Sequence, residues 1–224
     1  MATLAIDIGA TKFAVALVNP KREILFRREV PASQLWEGLA SALTEIAENE
    51  TQKITKIGIG SAGPINTQTG EISPVNILAW RSFPIVAKVK ELFPQAQVKM
   101  VGDAVALAVA EHAIGAGVGS KNMLGMVVST GIGGGIIVNG APLEGDFGNA
   151  GYFGHIVVGD YDGGCNCGRI GCVEGYASGV SMVRVAKKSG WNGEDFVTLA
   201  DAARAGNADA IAAIAFGTEH LAKA

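Results

Sequence analysis

The sequence predicts an α/β protein whose two lobes face each other across a cleft. Strand-like and helix-like stretches follow one another through residues 3–115, and the pattern restarts at residue 123. Each block carries a glycine turn between two strands, at 9–12 in the first and 129–135 in the second. No Pro- or Ser-rich linker separates the blocks, so the boundary belongs in or just after the 103–115 helix. That gives lobes of 1–112 and 113–224.

The first lobe opens with β-rich runs at 3–8 and 13–18, joined by Gly9-Ala10-Thr11-Lys12. Asn19-Pro20-Lys21 makes a turn, and 23–30 suits a third strand. Ser33 is placed to cap a helix reaching Glu50, with Leu35, Leu39, Leu43 and Ile46 as its apolar stripe. A buried strand is expected from Lys53 to Gly60, ended by Gly63-Pro64. A short helix at 84–92, a strand at 98–101 and an alanine-rich helix at 103–115 complete the block. The second block has strands at 123–129 and 136–138 around the glycine bend, a long loop to Cys172, and helices at about 175–189, 194–205 and 207–223.

The chain has 224 residues, 49% of them hydrophobic, which is enough to bury one large core or two small ones. With 17% charged residues it is not generally disordered, and a net charge of −3 gives no overall attraction to nucleic acid or an anionic membrane. The cluster Lys21, Arg22, Arg27 and Arg28 is interrupted by Glu23 and Glu29 and reads as a solvated hairpin face. No secretory pattern follows Met1 and no apolar run spans a bilayer. All three cysteines fall between 165 and 172, where they cannot close a disulfide framework without one left over. A reducing, cytoplasmic setting is expected.

Those cysteines, with His155, have the makings of a structural zinc site. Zinc favours four nitrogen and sulfur ligands in a tetrahedron, and His155, Cys165, Cys167 and Cys172 supply them. Gly163, Gly164, Gly168 and Gly171 between the sulfurs let a short loop fold around the metal. With no fifth candidate nearby the site is closed, hence structural and not hydrolytic. Three incidental buried cysteines and a core histidine form the alternative.

Two glycine turns have phosphate-binding chemistry. In Asp7-Ile8-Gly9-Ala10-Thr11-Lys12, turn amides, the Thr11 hydroxyl and Lys12 can hold phosphate while Asp7 faces Mg2+ or its water shell. Taken alone, this stretch is better explained by an ordinary hairpin turn. The second turn, Ser129 to Gly135, lies in the other lobe, and the pair suggests a nucleotide clamped between them. Gly58-Ile59-Gly60-Ser61-Ala62-Gly63 matches the dinucleotide pattern in letters only, because Pro64 follows where a helix is needed. Asp103 stands where a strand meets a helix. There a carboxylate either caps the helix or, beside a substrate hydroxyl, serves as a general base.

Taken together, DIGATKFAVALV (7–18), GIGSAGPI (58–65), GDAVALAVAEH (102–112), STGIGGGIIVNG (129–140) and GHIVVGDYDGGCNCGRIGCVEGYASG (154–179) resemble the ROK family of bacterial sugar kinases and repressors. The resemblance covers almost the whole chain and implies the actin-like, ribonuclease-H-like ATPase fold. It implies an ATP-dependent kinase acting on the 6-hydroxyl of a hexose or N-acylhexosamine, of glucose or N-acetylmannosamine type, with Asp103 as base. Asp7, Gly9, Thr11, Lys12, Thr130 and Gly131 are then expected at the ATP phosphates and Mg2+. Gly63, Asn76, Tyr152, His155 and Glu174 are expected at the sugar, with His155 also on zinc. The implied partners are a sugar and a nucleotide in a homo-oligomer, a dimer, with neither nucleic acid nor membrane.

Three departures from the family pattern stand out. Gly102 replaces the usual Asn before the aspartate, and Tyr152 replaces a Glu, removing a carboxylate's charge-assisted hydrogen bond. Asn76-Ile77-Leu78-Ala79-Trp80 lacks the usual Pro and Gly. Family members also continue past the position of Ala224 into an adenosine-holding segment, so C-terminal truncation is expected. These features leave a non-catalytic sugar-binding or regulatory member as the alternative.

Overall fold

The computed structural model describes residues 2–49 and 54–224 of the chain. Glu50 and Lys53, the expected end of the first helix and start of the following strand, lie outside them. The first block runs β1 (Thr3–Ile8), β2 (Lys12–Val18), β3 (Ile24–Pro31), α1 (Leu35–Asn49), β4 (Lys56–Ser61), β5 (Ile65–Asn66), β6 (Glu71–Ile72), α2 (Ile85–Leu92), β7 (Gln97–Gly102) and α3 (Asp103–Ile114). The second runs β8 (Met123–Val128), β9 (Ile132–Val138), β10 (Ala141–Pro142), α4 (Val173–Ala177), α5 (Gly179–Lys188), α6 (Phe196–Arg204) and α7 (Ala208–Leu221). Expectation and structure agree on a mixed α/β fold.

Five strands form one sheet in the order β3-β2-β1-β4-β7. Alternation sets its faces: Leu4, Ile6 and Ile8 of β1 are buried, while Ala5 is half-buried and Thr3 and Asp7 are exposed. The hairpins β1–β2 and β2–β3 are antiparallel, whereas β4 runs parallel to both β1 and β7. Their register places Ile8 opposite Ser61 and Ser61 opposite Gly102. The carboxyl ends of three parallel strands therefore lie level, the place where open α/β sheets put their ligands. Leu39, Leu43 and Ile46 of α1 are buried, as the stripe predicts. The helix nevertheless begins at Leu35 and not on a Ser33 cap. Residues 32–34 form a 3-10 turn, which the Ala32 N–H ties to Thr11 O at 3.0 Å, and the backbone reverses at Leu35 (φ +49°).

Aromatic stacking fixes the segment after β6. Trp80 lies between Phe13, with ring centroids 4.8 Å apart, and Phe83, at 4.4 Å. Both pairs are close to parallel, and this pins the 3-10 turn Leu78–Trp80 beside the first sheet.

The second sheet, in the order β10-β9-β8, shows why its glycines are there. Only residues 129–131 form a turn. Gly133, Gly134 and Gly135 belong to strand β9, although their composition suggests a loop. A Cβ on Gly135 would stand 2.7 Å from Ala108 Cβ and 2.8 Å from Val105 Cα, and one on Gly125 2.7 Å from Ala108 Cβ. Helix α3 lies directly on this bare strand surface. On the other side, a Cβ on Gly134 would meet the Phe153 ring at 2.4 Å. The expected helix at 175–189 is split in two. Ser178 leaves helical geometry (ψ 153°) and its side chain accepts from Ser181 N–H to cap α5, while Gly179 N–H bonds Ser129 O at 2.8 Å. The helices at the end begin on side-chain caps, Asp195 for α6 and Asn207 for α7. No helix among the described residues is long and apolar enough to cross a membrane.

Gly135→Ala should lower stability by about 1–3 kcal/mol through overpacking against α3, read as a reduced thermal midpoint. An unchanged midpoint would mean that α3 is not seated on this strand.

Candidate active site

A cavity of about 920 Å3 opens at the level carboxyl ends of β1, β4 and β7. It reaches from Asp7, Gly9 and Gly63 on the first sheet to Thr130 and Gly131 on the second. Asn76, Asp103, Tyr152, His155 and Glu174 also line it. Thr11 and Lys12 do not: Lys12 Nζ instead reaches both carboxylate oxygens of Glu29 at 2.9 Å on the outer hairpin. That bond holds the Glu29 carboxyl below its usual range.

Asp7 is the next-to-last residue of β1, with its side chain on the open face of the sheet. Desolvation by the cavity walls, then the Asp103 charge, hold its carboxyl above the usual range, with Lys12 opposing. Gly9 makes the turn possible, because a Cβ there would lie 2.9 Å from Lys12 O, which accepts the Gly9 N–H at 3.1 Å. Asp103 is the first residue of α3, after an N-cap at Gly102 that has no side chain to contribute. Among the described residues the Asp103 carboxylate accepts only from the adjacent Ala104 N–H, at 2.7 Å. It therefore does not cap the helix in the usual way.

The second glycine turn is held from below by Glu174. Its Oε2 accepts from Ile132 N–H at 2.9 Å and occupies the space next to Gly131, where a Cβ would come within 2.6 Å. Its Oε1 lies 3.6 Å from Cys165 Sγ. Tyr152 leans over His155, with ring centroids 5.8 Å apart, and its hydroxyl fills the space that a side chain at Gly63 would need. Burial, then the charge of Asp103, push its phenol well above the ordinary value, so it stays protonated at neutral pH.

His155, Cys165, Cys167 and Cys172 converge, their ligand atoms all within 4.8 Å of one another. His155 Nδ1 and Cys165 Sγ are 3.4 Å apart, Cys165 and Cys167 sulfurs 3.4 Å, and Cys167 and Cys172 sulfurs 3.5 Å. A tetrahedral zinc with ordinary bond lengths has ligand–ligand edges of about 3.6–3.8 Å. The donor set and its spacing thus fit zinc. Burial raises the thiols of Cys165 and Cys172, whereas the hydrogen bonds around Cys167 lower its thiol.

One cavity residue has no motif to announce it. Asn166, between two of the cysteines, donates from Nδ2 to Asn76 Oδ1 at 3.1 Å. Its only sequence signal is its place inside the ligand loop.

Comparison with known proteins identifies the family of this chain. The chain is 38% identical to an N-acetylmannosamine kinase of Salmonella newport over 84% of its own length and 65% of the relative's. It is 36% identical to a glucokinase of Streptomyces coelicolor over 83% of its length and 59% of the relative's. The chain thus spans about three-fifths of the length of the curated relatives it matches. Among solved structures, a ROK family glucokinase from Streptomyces griseus in complex with glucose and AMPPNP superposes with a TM-score of 0.76. It is 32% identical, and the match covers 95% of this chain and 74% of that one. The ROK family profile matches residues 3–224, and the chain belongs to the ROK family.

Proposed function

We propose that this chain forms the sugar- and phosphate-binding part of an ATP-dependent sugar kinase acting on the 6-hydroxyl of a hexose or N-acylhexosamine. One observation carries the reading: two carboxylates, Asp7 and Asp103, share a cavity with the glycine turn Thr130–Gly131. The kinase relatives, which include a glucokinase seen with glucose and AMPPNP, support it. In this reading the two sheets belong to the two lobes of an actin-like ATPase.

Asp103 accepts the proton of the sugar 6-hydroxyl as that oxygen bonds to the γ-phosphorus and the bond from phosphorus to the departing ADP oxygen breaks. Asp7 holds Mg2+, which when bound supplies positive charge against the phosphates. Gly9 and Gly131 leave room for phosphate to approach the backbone, and the Thr130 hydroxyl is a donor to it. Thr11 and Lys12 sit outside the cavity, but the exposed Lys12–Glu29 pair is weak and leaves Lys12 free to turn toward a phosphate. At the sugar end Gly63 gives space, Asn76 and Tyr152 supply polar groups, and Glu174 accepts from hydroxyls. With Nδ1 among the metal ligands, His155 presents Nε2 to the sugar. Zinc, held by His155, Cys165, Cys167 and Cys172, stiffens the loop that aims His155 and Glu174.

A second reading is a sugar binder without turnover. It is favoured by the Tyr152 hydroxyl packed against Gly63, which narrows the cavity.

Asp103→Asn should lower kcat about 10²–10⁴-fold while sugar affinity is kept. Turnover near the wild-type rate would remove Asp103 from the chemistry. Metal analysis should give about one zinc per chain, and Cys167→Ser should lose the metal and weaken sugar binding together. Loss of metal with sugar affinity unchanged would reduce the zinc to a fold staple.

The raised Asp7 carboxyl makes a pH-dependent prediction. Its folded value exceeds its unfolded one, so the fold gains from the proton at low pH and loses that gain as pH rises through the raised value. Without divalent cations, Asp7→Asn should therefore raise the thermal midpoint at pH 7, by an amount that shrinks on acidification. A lowered midpoint at pH 7 would contradict the assignment.

A further inference from the structure

The two sides of the cavity are fastened at two places of different character. Near β5 the fastening imitates strand pairing. Asn149 Oδ1 accepts from Ile65 N–H at 3.0 Å, its Nδ2 donates to Ile65 O at 2.7 Å, and Thr67 N–H donates to Phe147 O at 3.1 Å. At the mouth the described residues show one side-chain bond, from Asn166 Nδ2 to Asn76 Oδ1 at 3.1 Å, and it joins residues 90 positions apart. Both asparagines are exposed and both line the cavity.

We propose that Asn166 is a positioning residue for the sugar site: it latches the metal loop to Asn76 across the cavity mouth and orients the Asn76 amide. Asn166 is held by the cysteines on either side of it, Cys165 and Cys167, whose sulfurs lie 3.4 Å apart. Its position is therefore a property of the metal loop. Asn76, by contrast, precedes the 3-10 turn pinned by Trp80 and belongs to the first block. Asn166 takes one lone pair of Oδ1, and the Nδ2 donors of Asn76 have no partner among the described residues. Their match is an oxygen acceptor, a sugar hydroxyl or an acyl oxygen. The latch thus makes a sugar contact on one side depend on the folded metal loop on the other. A bond this exposed can open to admit a ligand, whereas the Asn149 clasp, with its two bonds to one residue, stays closed.

The sugar consequence rests on the reading of the cavity as a sugar site, but the latch itself does not, so two measurements separate them. The first uses no sugar. Hydrogen exchange is followed in residues 73–80, where Ser73, Val75, Ile77 and Trp80 N–H groups are bonded to Pro64, Gly63, Pro74 and Ile77 carbonyls. Asn166→Ala, with zinc still bound, should speed exchange there several-fold, and chelating zinc from the wild type should do the same. Should Asn166→Ala lose its metal, Asn76→Ala breaks the same bond from the other side. It should then speed exchange in residues 165–172. Wild-type exchange rates in the metal-bearing variant overturn the latch. The second measurement is the equilibrium affinity for glucose and for N-acetylmannosamine. Asn76→Ala and Asn166→Ala should each weaken binding of the preferred sugar about three- to tenfold, and the double variant no further than the stronger single one. Additive losses, or none from Asn166→Ala, overturn the positioning role. If the wild type binds neither sugar, the sugar-site reading fails while the exchange measurement still decides the latch.

Discussion

Helix α3 has to lie against two sheets at once, and the cavity exists because it can. It packs on β4 and β7 of the first sheet and on β8 and β9 of the second. On the second sheet that closeness requires bare backbone, which Gly125 and Gly135 supply beneath Ala108. Added side chains there would push α3 outward. Asp103, at the first position of α3, would move with it relative to both Asp7 and Thr130. The glycines of the second sheet that face α3 are therefore a packing requirement first.

The electrostatics follow from the same placement. Level strand ends bring Asp7 and Asp103 into one cavity, and each negative charge is costly to the other. Such a pair is a poor choice for stability and a good one for a cation and a proton acceptor. Tyr152, also in the field of Asp103, stays a neutral hydroxyl able to donate or accept. Glu174 links the two features, since it supports the glycine turn 129–131 through Ile132 N–H and approaches the cysteine loop through Cys165.

Residue type and spacing made some of this legible in the sequence. The β-rich run at 3–8, the stripe through Leu39, Leu43 and Ile46 (with Leu35 half-buried) and the His–Cys ligand set each encode their structure locally, and each is found where expected. What could not be read depends on distant neighbours. Glycines at 133–135 are strand only because Ala108 and Phe153 press on that strand, and no period in the segment records it. The pairing of Lys12 with Glu29 arises only when β3 lies beside β2, and no local pattern announces it. Asn166 and Asn76 meet only when the metal loop reaches across the cavity. The break at Ser178 was readable in principle, since a serine three residues before Ser181 can cap a new helix, but an apolar run on both sides concealed it.

The account stands or falls on whether phosphate moves at Asp103. The direct measurement offers the protein Mg-ATP with glucose, mannose, N-acetylmannosamine or N-acetylglucosamine and quantifies sugar phosphate and ADP together. The account predicts a 6-phosphate from at least one of these sugars, in step with ADP. Measurable sugar binding with no sugar phosphate from any of them would contradict it and leave a binding protein in its place.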